Sequence, residues 1–551
     1  MQLVFDALAG AAALVALIIA YRRHKSAEFV AARNRVEAQL EHARLYHEPF
    51  AAAAAQIGDE TAAARLAGVR AMAGLADDWP EHRQACVDVL CAYLRTPCSP
   101  APVLDLSPGD RPRRDAAREV RDTVFGIITA HLRPSAEVSW RNLNLDFTGV
   151  VFDRGDFSGV GFSGGQVSFG GAKFPSGQVS FAGAEFSGGG VSFAGAELSG
   201  AEVSFAGAEF SGGQVEFRRA RFSGGQLSFD DARFSGGEVS FAGAEFSGAE
   251  VSFARAGFSA GQVEFRRARF SGSEVGFRGA RFSGGEISFG RTQSGDVGAG
   301  LGYAGFSGAE FSGGDISFSD AEFAGSLVGF GGAEFSAGKV SFADATFARG
   351  EISYRGARFS GGEISFGSAR FSGAEVSFSG ARFSGGEISF GFARFSGGQL
   401  SFNDAEFSGG RVDFRSARFS GTRVSFILSR FNGSQVGFRL AKFSGGEASF
   451  NGAKFTGGPV DFGNARFSGG LVDFFAAEFS GGLVGFDGAH FTSEVSFLLA
   501  KFSGGEVDFS KVADWSYRPQ FDGGGLQPSG VRLPGGSDAS ELCRGPSRAG
   551  A

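Results

Sequence analysis

Phenylalanine recurs through most of this chain in a repeat with a fixed period of twelve. From Phe162 onward the intervals alternate between seven and five residues, as the following series shows: Phe162, Phe169, Phe174, Phe181, Phe186 and Phe193. The unit reads F-S-G-G-E-V-S-F-A-G-A-E, and it recurs roughly thirty times. This repetition explains why a chain of 551 residues contains 65 Phe and 90 Gly. A period this short predicts stacked units, because one unit alone cannot bury its apolar face.

The residue two places before each Phe indicates how the unit folds. Val179 precedes Phe181, whereas Ala184 precedes Phe186, and the two types alternate along the chain. In an extended segment, residues two apart face the same side. Val or Ala therefore points inward together with Phe, and the polar residue between them, such as Ser180, points outward. Gly-Gly and Gly-Ala pairs supply the corners, where positive φ or a close backbone approach is needed.

These triplets resemble the pentapeptide-repeat family. Ala184-Glu185-Phe186 matches the family motif directly, and the V-x-F triplets match it after a two-residue Ser-Gly insertion. The run Phe147, Phe152, Phe157 and Phe162, with intervals of five residues, is closest to the family pattern. The resemblance covers about two-thirds of the chain and implies a mainly β fold, a right-handed quadrilateral β-helix. Two repeat units then form one coil. The alternative, one unit per flattened coil, leaves too little space for two Phe and a Val.

The N-terminal segment predicts attachment to a membrane. Residues 3–21 read LVFDALAGAAALVALIIAY, which is near the minimum length for a helix that crosses a bilayer. Arg22, Arg23 and Lys25 follow at once. Basic residues after the apolar run disfavour a cleaved signal and place the rest of the chain in the cytoplasm. We expect a single-pass protein of the cell membrane that contacts the lipid bilayer through residues 3–21. A buried soluble helix is the other alternative.

Four regions follow from these patterns. Residues 1–25 form the transmembrane anchor and its basic flank, and residues 26–134 form an α-helical juxtamembrane region. Within that region we expect a helix break at Pro49 and a helix start near Thr61. Residues 135–511 form the β-helix, and residues 512–551 form a C-terminal cap and a disordered tail. The helical stretch 90–95 ahead of the repeats resembles membrane-anchored pentapeptide-repeat proteins of actinobacteria.

No catalytic, cofactor-binding or metal-binding residue is predicted. Cys86 and Cys91 are five residues apart on a predicted helix, which is not a ligand spacing, so we interpret them as buried structural thiols. Residues 300–305 match G-x-G-x-x-G, but the β-helix repeats on both sides exclude the βαβ unit that a dinucleotide site needs. The chain is therefore predicted to be no enzyme and to carry no cofactor.

The outward positions decide between the remaining functions. Their charges come in blocks, among them Glu185, Glu197 and Glu209, then Arg358, Arg370, Arg382 and Arg394, and a basic tract from Arg411 to Lys454. We interpret the blocks as ladders of compensating charge, and the basic tract as a surface for an acidic partner or anionic lipid. The main hypothesis is a non-enzymatic, membrane-tethered scaffold or protein-interaction rod with an unknown protein partner. A homo-oligomer stays open.

The alternative is a DNA-mimicking protein that binds topoisomerases, as some pentapeptide-repeat proteins do. Mimicry requires a continuous anionic surface. The mixed charge of this chain departs from that requirement, so DNA mimicry is the less favoured hypothesis. A nucleic-acid partner is not expected either.

Overall fold

The computed structural model describes residues 2–96, 111–290, 293–294, 303–325, 327–522 and 529–535, without the side chains of residues 2–16, 293–294 and 303 and of several later helix positions. The chain divides into two compact units, Met1–Ile127 and Ile128–Ala551. The predicted disorder of the tail falls on residues that lie mostly outside the described ranges.

The first unit is helical. Its helices are α1 (Gln2–Ile57), α2 (Ala62–Asp78) and α3 (Arg83–Arg95), and α4 (Arg111–Leu132) runs across the division between the units. A 3₁₀ turn, Pro80–His82, precedes α3. The predicted start of α2 is confirmed, since Thr61 is its N-cap and the Thr61 hydroxyl accepts a hydrogen bond from the Ala64 N–H.

Two expectations for the N-terminal region fail or find no support. The break at Pro49 is wrong, because α1 continues through Pro49 to Ile57. A helix can tolerate the missing proline N–H at the cost of one hydrogen bond and some strain. Among the residues described, no helix is long and apolar enough to cross a membrane. Residues 3–16 of the predicted span lie outside the side chains described, so that span stays a prediction.

The second unit is a mainly β solenoid of about 15 turns. Its strands are parallel, and each pairs with the strand two repeat units later, as Val167 does with Val191 and Val179 with Val203. Two units therefore make one turn, as predicted, and the single-unit alternative is wrong. The equivalent strands of successive turns form four columns.

The strand bounds are given column by column. The strands of columns 1 and 3 are formed by the V-x-F triplets, and those of columns 2 and 4 by the A-x-F triplets. Column 1 contains Leu145–Asp146, Gln166–Ser168, Gly190–Ser192, Gln214–Glu216, Glu238–Ser240, Gln262–Glu264, Glu286–Ser288, Glu363–Ser365, Gln435–Gly437, Glu506–Asp508 and Val531–Arg532. Column 2 contains Lys173–Phe174, Glu197–Leu198, Arg221–Ser223, Glu245–Ser247, Arg269–Ser271, Gln293–Ser294, Glu322–Ala324, Thr346–Ala348, Arg370–Ser372, Arg394–Ser396, Arg418–Ser420, Lys442–Ser444, Arg466–Phe467 and His490–Phe491. Column 3 contains Gly155–Asp156, Gln178–Ser180, Glu202–Ser204, Gln226–Ser228, Glu250–Ser252, Glu274–Gly276, Tyr303–Gly305, Leu327–Gly329, Glu351–Ser353, Glu375–Ser377, Gln399–Ser401, Arg423–Ser425, Glu447–Ser449, Leu471–Asp473, Glu494–Phe497 and Gln520–Phe521. Column 4 contains Gly161–Phe162, Glu185–Phe186, Glu209–Phe210, Arg233–Phe234, Gly257–Phe258, Arg281–Phe282, Arg358–Phe359, Arg430–Asn432 and Lys501–Phe502. Six longer strands run from column 4 into column 1, namely Glu310–Ser317, Glu334–Ser341, Arg382–Ser389, Glu406–Asp413, Lys454–Asp461 and Glu478–Gly485.

Stacked phenylalanines fill the core. The ring centroids of Phe181 and of Phe205 in the next turn are 4.8 Å apart, the rings are nearly parallel, and both side chains are fully buried. Within a turn the contact is edge-to-face, since the rings of Phe169 and Phe181 are 5.8 Å apart at 88°. Both geometries suit the aromatic quadrupole. The predicted inward direction of V-x-F and A-x-F is thereby confirmed, because Val179 and Ala184 are buried as well.

The turn after a V-x-F strand has the same conformation in almost every described turn. After Phe181, the Ala184 N–H donates to the Phe181 carbonyl at 3.1 Å, and Gly183 takes φ of 63°. Such a turn requires positive φ at its third residue, which favours Gly. Sixteen non-Gly residues of the described chain nevertheless have positive φ, nearly all at this place in the turn.

Candidate interaction surface

Outward side chains lie in columns, so that the neighbours of each residue are two repeat units away along the chain. Arg358 therefore stands beside Arg382 in column 4, whereas Arg370 stands beside Arg394 in column 2. The basic row that the sequence suggested is thus divided between two faces, and the acidic block that contains Glu197 is divided in the same way. The prediction from spacing along the chain was wrong because the outward residues that stand side by side belong to successive turns, which are joined by backbone hydrogen bonds.

The first half of column 2 is an ion-pair ladder. Its outward residues alternate in sign over five successive turns, in the order Lys173, Glu197, Arg221, Glu245 and Arg269. Arg221 lies 3.7 Å from both Glu197 and Glu245, and Arg269 lies 3.1 Å from Glu245. Each exposed pair is worth little alone, but alternation prevents like charges from stacking.

Columns 1 and 4 contain similar pairs. Lys339 contacts Glu363 at 3.0 Å in column 1, and Glu478 lies between Lys454 and Lys501 in column 4. These contacts hold the pKa of Glu478 below its ordinary value, chiefly through the hydrogen bond from Lys454. The interpretation of the surface as compensating ladders applies to these residues.

The second half of column 2 breaks this rule. Five successive turns present only basic residues, in register and exposed, and we call this set the basic ladder: Arg370, Arg394, Arg418, Lys442 and Arg466. None of the five forms an ion pair within the part of the chain that the structure describes. The basic tract predicted from the sequence contains only two of them, because its other members, such as Arg411 and Arg430, lie in other columns.

The chemical candidates from the sequence lie in separate places. Cys86 and Cys91 are both buried in α3, and burial raises the pKa of the Cys91 thiol to about 12. Of residues 300–305, Tyr303–Gly305 forms a column 3 strand that pairs with Glu274–Gly276, so this part of the motif does not open a helix. No group of three or more His, Cys, Asp or Glu in the described ranges is arranged to hold a metal ion. The predictions of no catalytic, cofactor or metal site stay predictions.

The fold and the surface together define the chain as a β-solenoid repeat protein whose outward side chains form registered columns. Comparisons with protein-family models, with curated proteins and with solved structures found no match.

Proposed function

We propose that this chain is a non-enzymatic scaffold of the pentapeptide-repeat type. The observation that carries the proposal is the solenoid itself, which holds outward side chains in fixed register over about 15 turns. Stacked repeats of this kind provide long, rigid binding surfaces. The alternating 7-and-5 spacing of Phe and the inward A-x-F triplets support the family assignment. In this proposal the solenoid is right-handed and four-sided, with one strand column on each side.

The hand and the number of sides have a direct test. An experimental density map at side-chain resolution is expected to show a right-handed path with four corners per turn. A left-handed path, or a turn with two or three sides, contradicts the family assignment.

Attachment to the cell membrane is part of the same proposal. It is supported by the apolar segment 3–21 and by the basic residues after it, which favour a cytoplasmic repeat domain. Carbonate extraction of membranes from the native host is expected to leave the chain in the pellet. Protease added outside intact spheroplasts is expected to spare a C-terminal tag. Release by carbonate contradicts the anchor, and loss of the tag contradicts the orientation.

The scaffold role requires a protein partner. Proximity labelling in the native host, with a biotin ligase fused to the C-terminus, is expected to enrich a reproducible set of cytoplasmic proteins. The matched control is the same ligase fused to residues 1–25, which samples the membrane without the solenoid. Identical labelling by both fusions contradicts the scaffold role.

DNA mimicry has weaker support. A mimic needs continuous negative charge, but acidic residues of columns 1, 2 and 4 form ion pairs with basic ones. A gyrase supercoiling assay with the full chain is expected to show neither inhibition nor protection at high protein excess.

A further inference from the structure

The basic ladder differs from the other half of its own column. Both halves have parallel strands in the same register between turns, with inward Ala and Phe at every turn except that of Leu198. The first half alternates in sign, so the fold itself does not require like charges to stack. Five basic residues in a row leave a repulsion that no ion pair with a described acidic side chain offsets. The compensating charge is therefore expected to come from outside the chain.

The corner beside the basic ladder adds two exposed apolar side chains. Phe392 is 63% exposed and Leu440 is 46% exposed. Each is two residues before a ladder residue, Arg394 or Lys442, and the two lie two turns apart. Both adopt positive φ, 60° at Phe392 and 61° at Leu440, at a turn position where their column neighbours Ser368 and Ser416 are small and polar. A large apolar residue there is costly both in backbone strain and in exposure to water.

The strand positions on the other side of the ladder carry hydroxyl groups. The outward residues that follow the ladder positions in the same strands are Ser372, Ser396, Ser420 and Ser444. On the apolar side, Arg415 and Arg439 stand on the same corner and are exposed. The surface thus combines a basic row of about 19 Å, from four steps of about 4.8 Å, with two protruding apolar groups and a row of hydroxyls.

We propose that this surface, formed by the basic ladder with Phe392 and Leu440, binds the headgroup region of a bilayer that contains anionic lipid. Lys and Arg next to exposed Phe and Leu are the composition of segments that lie in the membrane interface. The ladder attracts the anionic headgroups, and the two apolar side chains enter the boundary with the acyl chains. The proposal extends the proposed membrane tether, on which it depends only for bringing a bilayer within reach.

A nucleic acid is the competing polyanion and fits less well. Single strands are held by a series of aromatic rings on which successive bases stack. Phe392 supplies one ring next to the ladder, but Leu440, at the equivalent place two turns later, supplies none. Phe392 and Leu440 can both contact acyl chains in a lipid interface, whereas a phosphate backbone offers them no apolar surface.

Partition of the full chain onto vesicles tests the proposal. Lipid titrations compare vesicles of phosphatidylcholine alone with vesicles in which roughly one lipid in three is phosphatidylserine. Binding to neutral vesicles measures the predicted segment 3–21. The increase on anionic vesicles measures the ladder together with Arg22, Arg23 and Lys25. Ladder variants separate these two contributions, so the two proposals fail separately. We expect at least a hundredfold stronger partition onto the anionic vesicles and loss of most of this increase at high salt.

Two variants identify the residues responsible. Arg394→Gln, Arg418→Gln and Lys442→Gln together are expected to lower partition onto anionic vesicles about a hundredfold, at about fivefold per charge, without changing binding to neutral vesicles. The matched control removes three charges from the alternating half of the same column, by Lys173→Gln, Arg221→Gln and Arg269→Gln, and should stay within about threefold of the parent. Circular dichroism and thermal melts establish that each variant is folded.

The apolar pair separates lipid from soluble polyanions. Phe392→Ser with Leu440→Ser introduces the residue that column neighbours Ser368 and Ser416 already have in this conformation. We expect about a tenfold loss of partition onto anionic vesicles with an unchanged salt dependence. Equal partition onto neutral and anionic vesicles overturns the proposal. It is also overturned if the matched control loses as much, or if an oligonucleotide or polyglutamate binds through the ladder while vesicles do not.

Discussion

At the scale of single residues, Tyr354 shows how strictly the core selects for phenylalanine. Its ring is stacked between Phe330 and Phe378, with centroids 4.7 and 4.6 Å away, and the side chain is fully buried. The hydroxyl has no hydrogen-bond partner among the described residues. A buried hydroxyl without a partner costs about 1–3 kcal/mol, so this position loses stability that a phenylalanine would keep.

Tyr354→Phe is therefore expected to stabilise the solenoid by about 1 kcal/mol, seen as a higher denaturation midpoint in urea. The matched control is Phe378→Tyr one turn later, which should destabilise by a similar amount. A lower midpoint for Tyr354→Phe means that the hydroxyl has a partner.

The same residue makes stability depend on alkaline pH. Burial raises the pKa of Tyr354 well above its ordinary value of 10.0. Above pH 10 the unfolded chain loses this proton while the folded chain keeps it, so the stability contribution falls as the pH rises. Between pH 10 and pH 11, the free energy of unfolding should decrease less steeply with pH in Tyr354→Phe than in the parent, because the variant lacks the contribution of this one proton. Equal slopes in both proteins contradict a buried neutral tyrosine.

At the scale of structural elements, the glycines fall into two classes with different reasons for being glycine. Gly380 lies in the turn after a column 3 strand with φ of 66°, and a Cβ there meets no atom within 4 Å. Gly386 lies where the strand Arg382–Ser389 passes from column 4 into column 1, with φ of 75°, and its Cβ would stand 2.5 Å from the Gly361 carbonyl oxygen of the preceding turn. Only the second class is fixed by the close approach of successive turns.

The two classes predict different costs for alanine. Gly380→Ala adds only the strain of positive φ and should cost about 1 kcal/mol, consistent with Asp404 and Leu428 at equivalent positions in the next two turns. Gly386→Ala adds a clash with backbone and should cost about 3 kcal/mol or more. Denaturation of both variants under one set of conditions compares them directly. Equal costs mean that the turns can separate locally.

Charge order along column 2 is a second property of elements. Stacked like charges about 5 Å apart repel by up to about 0.8 kcal/mol in bulk water, and the basic ladder keeps four such neighbouring pairs. Natural proteins often retain destabilising residues on a surface when that surface has a function.

Arg418→Glu would restore alternation between Arg394 and Lys442, as Glu245 does between Arg221 and Arg269. We expect about 1 kcal/mol of stabilisation at low salt, decreasing as salt increases. The mirror variant Glu245→Arg creates three stacked arginines and should destabilise by a similar amount. A midpoint that does not change in either variant shows that the long side chains avoid one another.

At the scale of the whole molecule, the core could be predicted from the sequence far better than the surface. Val179 and Phe181 could be placed inward because a period of two fixes the side of each residue in a strand. The basic ladder could not be found by reading consecutive units, because its neighbours are two units apart and are joined only by hydrogen bonds between turns. Its signal was present in the sequence as a basic A-x-F triplet in every second unit from Arg370 to Arg466. The helix through Pro49 was missed because a local rule for proline was applied where the surrounding sequence favours helix.

Two irregular turns show how the molecule accepts changes of length. Arg269 pairs with Gln293 at the usual interval, but Glu274 pairs with Tyr303, so five extra residues lie between the two later strands. Near the end, Leu471 pairs with Glu494, which is one residue short of the usual interval and shortens a corner. Extra residues can leave the column at a corner at little cost, because loop closure depends weakly on length. A longer deletion is expected to be accommodated only when it removes whole repeat units, because each turn must still contain four strands.

The repeat unit and the two-unit turn together predict which deletions the solenoid can tolerate. Removing residues 374–385 leaves Phe371 seven residues before Phe390, so Val still stacks on Val and Ala on Ala after a half-turn rotation. This chain should keep a single cooperative melting transition a few degrees below the parent. Removing only residues 374–379 leaves Phe371 six residues before Phe383, so that one A-x-F triplet follows another with no V-x-F triplet between them, and sets turn residues against strand residues. That shorter deletion should split the transition and open the solenoid to protease near residue 380, even though it removes half as much chain. If the shorter deletion is the better tolerated, stability follows the amount of buried surface and not the register between turns.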